Sequence, residues 1–279
     1  MRGHLSRWPF LKTEKETILM KVATIVPQNY LHLTRNDDYM MCLGHLINAP
    51  GMEEYTKFFR EAAADGKFII MDNGLIEGDS RPITELAAKA NYIGASEMIM
   101  TDVFRDKDAT LQAIEEGVAM LEDVVHPRLM LVPQGNTVDE WVNCAHQIIL
   151  TYKHMEYTIG VPKVLVHIGG RDGRVAALTQ LMEKCPVARH KTFHLLGCWT
   201  TPLEITVIDK LVRQGTLPNV RGVDSAIPFV YARAGKAMNS QDRPDSAPIN
   251  FCKSKVNGLL LRRNIYHWRK AADSSRRWF

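Results

Sequence analysis

The stretch KFIIMDNGLIEGDSRPITELAAKANYIGASEMIMTD, residues 67–102, decides the fold. Its two ends, KFIIMD (67–72) and SEMIMTD (96–102), are short and almost continuously apolar. Runs of that length suit strands buried on both faces, as parallel strands are. Between them, ITELAAKANYIG has helical periodicity, begins after a Pro and stops at a Gly, as a capped helix does. Strand, helix and strand of this kind form a βαβ unit with a right-handed crossover. Both runs also end on a carboxylate, Asp72 and Asp102.

The same alternation continues in both directions. Further strand-like runs are KVATIVP (21–27), YMMCLGHLI (39–47), RLMLVPQG (128–135), KVLVHIGG (163–170), KTFHLLG (191–197) and VRGVDS (220–225). Between them lie helical segments such as MEEYTKFFREAAADG, ATLQAIEEGVAMLEDVV, TVDEWVNCAHQIILTYK, GRVAALTQLMEKC and LEITVIDKLVRQG. About eight such units in roughly 250 residues predict an α/β fold, a (β/α)8 TIM barrel. A doubly wound open sheet is the alternative, but no GxGxxG turn is present, and GGRDG (169–173) lacks that spacing. Residues 1–20 read as an N-terminal extension and 21–238 as the barrel. Residues 239–279 read as a linker, NSQDRPDSAP, leading into a basic, aromatic C-terminal segment.

The chain of 279 residues is 46% hydrophobic and 24% charged, as globular proteins are. No stretch approaches the roughly 18 uncharged apolar residues of a membrane span. The start, MRGHLSRWPFLKTEKETILMKV, has scattered charges and no apolar core, so it is not a secretory signal. A cytoplasmic protein is expected. Five widely spaced cysteines, with no CxxC, argue against a disulfide framework and a cysteine-rich zinc site. From Lys253 onward, eight basic residues face only Asp273, and aromatics lie among them. Basic residues interleaved with rings suit nucleic acid. A helix whose apolar stripe (Leu259, Leu260, Leu261, Ile265, Trp268) packs on the main domain is a compatible reading.

Polar groups collect where the strands stop. Asp72, Asp102 and Asp224 end their runs, Gln134 and Gly135 close another, and Gly169, Gly170 and Gly197 close two more. In a barrel these positions share one mouth, where such folds do their chemistry. Three carboxylates and an amide divide naturally into a nucleophile toward a sugar carbon, an acid/base, and an acceptor for a donor-rich ligand edge. Glycines among them would let a flat ligand approach the backbone. A metal reading would draw on His167, His190 and His194, which form no HxH or HExxH pattern.

These strand-end motifs resemble the queuine/archaeosine tRNA-guanine transglycosylases. MDNG (71–74) looks like that family's D-S-G-G, TD (101–102) like its recognition aspartate, and VPQGN (132–136) like its V-Q-G-G. HIGG (167–170) is similar to A-I-G-G, and HLLG (194–197) followed by TPLEI to Y-L-M-G-V-G-x-P-x-D. RGVDSAIPFVYARAGKA (221–237) resembles the nucleophile segment D-x-F-D-C-V-x-P-T-R-x-A-R-x-G, and LGHLINAPG (43–51) loosely echoes L-G-N-T-Y-H-L-x-x-x-P-G. The order and spacing hold from about residue 40 to 240.

The resemblance implies that Asp224 attacks C1′ of a guanosine and that Asp72 is the general base. It implies that Asp102, Gln134, Asn73, Gly135, Gly169 and Gly170 bind the base edge, and that Gly197 leaves room for the ring. No cofactor is expected, since base exchange involves no redox step. The family's C-x-C-x2-C…H zinc site is absent, with only Cys252 and His267 in that region, so no metal and no zinc subdomain are expected. Leu75 stands at the second Gly of D-S-G-G and Ile76 near the position of the base-sandwiching aromatic, leaving Phe104 or Phe229 to stack. Arg171-Asp172-Gly173-Arg174 replaces L-A-V-G-E.

A short, zinc-free chain with a different basic tail looks most like the phage DNA-guanine transglycosylases. These place a 7-deazaguanine such as 7-cyano-7-deazaguanine in DNA and hide it from host restriction. The expected partner is therefore DNA, with tRNA as the alternative, and the compartment the host cytoplasm if the chain is phage-encoded. Arg233, Lys236, Lys253, Lys255, Arg262, Arg263, Arg269 and Lys270 are the expected nucleic-acid contacts. A non-catalytic relative that binds nucleic acid is the reading from another class.

Overall fold

The computed structural model describes residues 20–78, 81–198, 202–238, 244 and 248–272. All but the last residue of the expected N-terminal extension, most of the linker, and the chain end from residue 273 lie outside these. Eight strands are present: β1 Lys21–Thr24, β2 Met40–Leu43, β3 Ile69–Asp72, β4 Glu97–Ile99, β5 Arg128–Leu131, β6 Tyr157–Pro162, β7 Thr192–Leu196 and β8 Asn219–Ser225. Every ladder is parallel, and the strands follow the order β1-β8-β7-β6-β5-β4-β3-β2. The sheet is a nearly closed TIM barrel whose seam lies between β1 and β2. Around it run α1 Glu53–Ala64, α2 Ile83–Ile93, α3 Lys107–Leu121, α4 Val138–Thr151, α5 Leu165–Ile168, α6 Gly173–Lys184, α7 Leu203–Arg213, α8 Ile227–Arg233 and α9 Gly258–Ala271.

One strand lies elsewhere than predicted. KVLVHIGG was expected as a strand, but the sheet uses YTIGVP just before it, and Leu165–Ile168 is a helical turn. Thr158, Ile159 and Val161 are β-branched, and all six residues of β6 are buried. Pro162, with no N–H to give a further ladder, ends the strand. In the following run Val164 and Leu165 turn inward while His167 is exposed, a helical arrangement.

The alternation of side chains along each strand separates two cores. Val22, Met40, Cys42, Ile69, Met71, Met98, Leu129, Leu131, Phe193, Leu195 and Val223 face the helices. Ala23, Met41, Ile70, Ile99, Met130 and Val132 fill the barrel with Tyr39, which precedes β2. The same parity turns Asp72, Glu97, Thr158, His194 and Asp224 into the barrel. Deep in it, Glu97 accepts from Thr158 Oγ1 at 2.6 Å and from Arg221 Nη1 at 3.2 Å, with Arg221 Nη2 on its other oxygen.

At the seam, side chains replace a strand ladder. Thr24 N donates to Asp37 Oδ2 at 2.7 Å, Val22 N to Asp38 Oδ2 at 3.2 Å, and Trp268 Nε1 to Ala23 O at 3.3 Å. Arg269 Nε meets Asp37 Oδ1 at 2.7 Å, and its Nη2 donates to Leu33 O at 2.9 Å. Helix α9 is capped by Asn257, whose side chain accepts from Leu259 N and Leu260 N. It buries Leu261, Asn264, Ile265, Trp268 and Ala271 against the barrel. Of the stripe read from sequence, Leu259 is instead exposed. Arg269, expected at nucleic acid, is committed to a buried carboxylate and is corrected to a structural role.

Removing one partner of a buried ion pair strands the other charge. Arg269→Ala is therefore expected to lower the unfolding free energy by about 3 kcal/mol, measured by urea titration. Adding Asp37→Asn should restore part of that loss. A change within the range of an exposed ion pair, under about 1 kcal/mol, would show the seam to be held otherwise.

Candidate active site at the barrel mouth

Asp72 closes β3 and is half-buried; Gly74 N, whose own φ is +76°, donates to its Oδ2 at 3.3 Å. The next residue, Asn73, reaches sideways. Its Nδ2 donates to Asp102 Oδ1 at 2.7 Å and to Met100 O at 2.8 Å, and its Oδ1 accepts from Leu75 N. Gln134 Nε2 donates to Asp102 Oδ2 at 2.5 Å, while Arg105 N donates to Gln134 Oε1 at 3.2 Å. Asp102 thus lies between two amides, one for each oxygen. The sequence reading expected these three residues at one site, and they are joined directly.

Asp102 is 5% exposed, and its burial raises its pKa from 3.8 to about 6 against the opposing pull of the Gln134 and Asn73 donors. The shift moves its titration from the ordinary carboxylate range toward neutral pH.

Asp224 stands near the C-terminal end of β8, paired with Ala23 of β1, and is also 5% exposed. Its Oδ1 lies 3.0 Å from His194 Nε2, and Tyr39 Oη lies 3.4 Å from the same nitrogen. His194 was read only as a possible metal ligand; its place beside Asp224 was missed. The available signal was its position in KTFHLLG, in alternation with Phe193 and Leu195, which sends an imidazole into the barrel. His167 and His190 are both exposed and do not join it. Among the described residues no group of three or more His, Cys, Asp or Glu is arranged around a common point.

Two apolar side chains stand exposed in the loops that follow these strands, Ile76 at 66% after β3 and Phe104 at 52% after β4. Phe229, the other expected stacking residue, is fully buried in α8 with its ring 6.2 Å from Tyr30, which removes it from the mouth. The glycines also have roles in the chain's own packing. A Cβ on Gly135 would lie 2.6 Å from Trp141 N, and one on Gly169 would lie 2.7 Å from Val138 Cγ2, so both are required by the chain's own packing on α4. Gly169 and Gly170 follow the α5 turn rather than closing a strand, and Gly170 and Gly197 have left-handed φ of +73° and +70°. Arg174, in sequence a departure from the resembled motif, has a structural place. It is 1% exposed, and its Nη2 donates to Leu196 O and Gly197 O at 2.9 and 2.7 Å, fastening the end of β7.

The expected nucleic-acid residues differ in exposure and in what they touch. Lys253, Lys255, Arg262 and Arg263 are exposed; Lys270 Nζ sits 4.7 Å from the Tyr266 ring centroid, and Arg233 Nη1 donates to Pro248 O at 3.0 Å. Lys236 is half-buried, and its carbonyl accepts from Asn264 Nδ2.

No protein-family model and no curated protein matches the chain. Solved structures do. It is similar to D-psicose 3-epimerase with D-tagatose from Clostridium cellulolyticum H10, with a TM-score of 0.51 and 12% identity over 92% of this chain and 98% of that one. It is also similar to the carboxyl transferase domain of Rhizobium etli pyruvate carboxylase with 3-bromopyruvate, with a TM-score of 0.50 and 10% identity. That match covers 93% of this chain and 48% of the other. At these identities the likeness establishes the TIM-barrel fold. Among the described residues no helix is long and apolar enough to cross a membrane.

A carboxyl whose folded pKa is raised stabilises the protein most below its unfolded pKa and loses that contribution as pH rises through the folded one. For Asp102 that window runs from 3.8 to about 6. Urea unfolding of the protein and its Asp102→Asn variant between pH 4 and 7 should show the wild type losing up to about 3 kcal/mol relative to the variant as pH rises. Parallel curves would place the Asp102 pKa near its ordinary value.

Proposed function

We propose that the chain is a base-exchanging glycosyltransferase that replaces guanine in DNA by a 7-deazaguanine such as 7-cyano-7-deazaguanine, protecting phage DNA from restriction. The observation that supports the reading is that Asp72 and Asp224 stand at the C-terminal ends of β3 and β8, with the amide-held Asp102 just past the end of β4. On this reading Asp224 forms a bond from its carboxylate oxygen to C1′ while the C1′–N9 bond breaks and its electron pair stays on N9. Asp72, in its acid form, supplies the N9 proton of the departing guanine. The incoming base then returns a proton to Asp72, its N9 attacks C1′, and the ester electron pair goes back to Asp224.

Asp102 and Gln134 offer acceptors and donors matched to a guanine-type edge, and Phe104 and Ile76 offer apolar walls to a flat ring. The target base must leave the helix, or lie on a single strand, to reach such a mouth. Exposed Lys253, Lys255, Arg262 and Arg263 suit the phosphates.

The deciding experiment follows release of radiolabelled guanine from duplex DNA, single-stranded DNA and tRNA, driven by 7-cyano-7-deazaguanine. Release from DNA is expected, with Asp224→Ala at background. Release from tRNA alone would reassign the substrate, and no release from any of them would end the transglycosylase reading. In salt titrations of DNA affinity, Arg262→Glu with Arg263→Glu should weaken binding for all sequences alike and flatten the slope. Unchanged binding would leave α9 a packing element only.

A further inference from the structure

Beneath Asp224 lies an imidazole that the exchange chemistry above leaves without a task. His194 is 0% exposed, and its ring meets Tyr39 edge-on at 5.4 Å. Its Nε2 faces both Asp224 Oδ1 and the Tyr39 hydroxyl, whereas its Nδ1 is buried with no hydrogen-bond partner. That asymmetry selects a tautomer. A proton on Nδ1 would bury an unsatisfied donor and turn the Nε2 lone pair against a carboxylate oxygen. A proton on Nε2 gives Asp224 a hydrogen bond and leaves only one lone pair unmatched. Burial pushes the pKa of His194 down against the upward pull of the carboxylate beside it, which favours the neutral ring.

Register sets the direction of the contact. His194 pairs with Gly222, two residues before Asp224 on β8, so the imidazole sits one layer deeper in the barrel. The bond from below holds Oδ1, and among the described residues nothing donates to Oδ2. We propose that His194 is the positioning residue for Asp224: its Nε2–H ties Oδ1 down and presents Oδ2 to the mouth as the attacking atom. Tyr39 braces the imidazole against rotation.

A neutral donor suits this task. A cation in its place would form an ion pair and stabilise the carboxylate against attack. When Oδ2 bonds to C1′, Oδ1 becomes the ester carbonyl oxygen and still accepts from Nε2–H. The bond therefore persists from free enzyme to covalent intermediate, and no proton leaves His194.

This inference rests on the proposed exchange reaction, and the test separates the two. Formation of the covalent DNA–protein adduct is followed in single turnover for the wild type, His194→Phe and His194→Gln, beside DNA affinity and thermal unfolding. The phenylalanine variant is expected to form adduct about 100-fold more slowly with unchanged DNA affinity, as a misdirected nucleophile would. Glutamine, whose side-chain N–H can occupy the place of Nε2, should recover most of the rate. A folded His194→Phe protein that reacts at the wild-type rate would overturn the proposal.

A second measurement does not depend on turnover, and its wild-type arm needs no variant. In 15N-histidine spectra of the wild type at pH 7, His194 is expected as the neutral Nε2–H tautomer, with Asp224→Ala abolishing that preference. An imidazolium, or a proton on Nδ1, would overturn the positioning role even in an active enzyme. If no nucleic acid forms an adduct, the exchange reading falls while these spectra still decide the His194–Asp224 contact.

Discussion

A parallel barrel closes only if its first strand finds partners on both edges, and here one of those edges is satisfied by carboxylates. The N–H groups of Val22 and Thr24, which a ladder with β2 would have engaged, donate to Asp38 and Asp37. The carbonyl of Ala23 between them takes the Trp268 indole. Buried backbone groups left unpaired are costly, so these contacts stand in for a missing ladder. Burying Asp37 in turn demands a cation, and Arg269 supplies it. The last described helix is therefore part of how the first strand stays in place. Since Ala23 is in register with Asp224, the seam also fixes the height of the carboxylate at the mouth.

The barrel interior is polar along much of its axis, where branched aliphatic layers are usual. Glu97, Thr158 and Arg221 form a closed set near the strand starts. His194, with Tyr39 against it, comes next, Asp224 stands one layer above it, and the Asn73, Asp102 and Gln134 group lies beyond the strand ends. Low-dielectric surroundings make each hydrogen bond in such a stack stronger and each unpaired group more expensive. The deepest layer is satisfied internally, whereas nearer the mouth Asp224 Oδ2 takes no bond from any described residue. Polarity thus runs from structural to chemical along the barrel.

The fold was legible because its signals were local. KFIIMD and SEMIMTD are apolar runs bounded by turn residues, and the helix between them carries its own stop at Gly94, a left-handed residue. The error at KVLVHIGG arose where two apolar runs of similar length adjoin. β-Branching and Pro162 favoured the first run, and side-chain parity alone could have rejected the second. At the site, Asp72, Asp102, Gln134 and Asp224 were visible as strand-end polar groups. His194 was not readable as a partner of Asp224, because nothing near either residue in sequence names the other. Arg269 misled for a related reason: it follows the fully buried Trp268 and is drawn inward with it, while Arg262 and Arg263 remain in solvent.

The three acids at the mouth are chemically distinct because their neighbours are. Asp102 has both oxygens held by side-chain amides in a buried pocket, an arrangement that fixes acceptor positions in space and so favours recognition over nucleophilic attack. Asp224 is held through one oxygen by a neutral donor from below, which restricts rotation while leaving the other oxygen uncommitted by any described residue. Asp72 is the most open of the three and takes a long bond from the Gly74 amide in its own turn, so it is the one best able to meet a proton arriving with a ligand. Environments that divide like groups in this way are how one site runs nucleophile, base and recognition with a single residue type. The roles proposed for Asp224, Asp72 and Asp102 accord with this division as well as with the motifs around them.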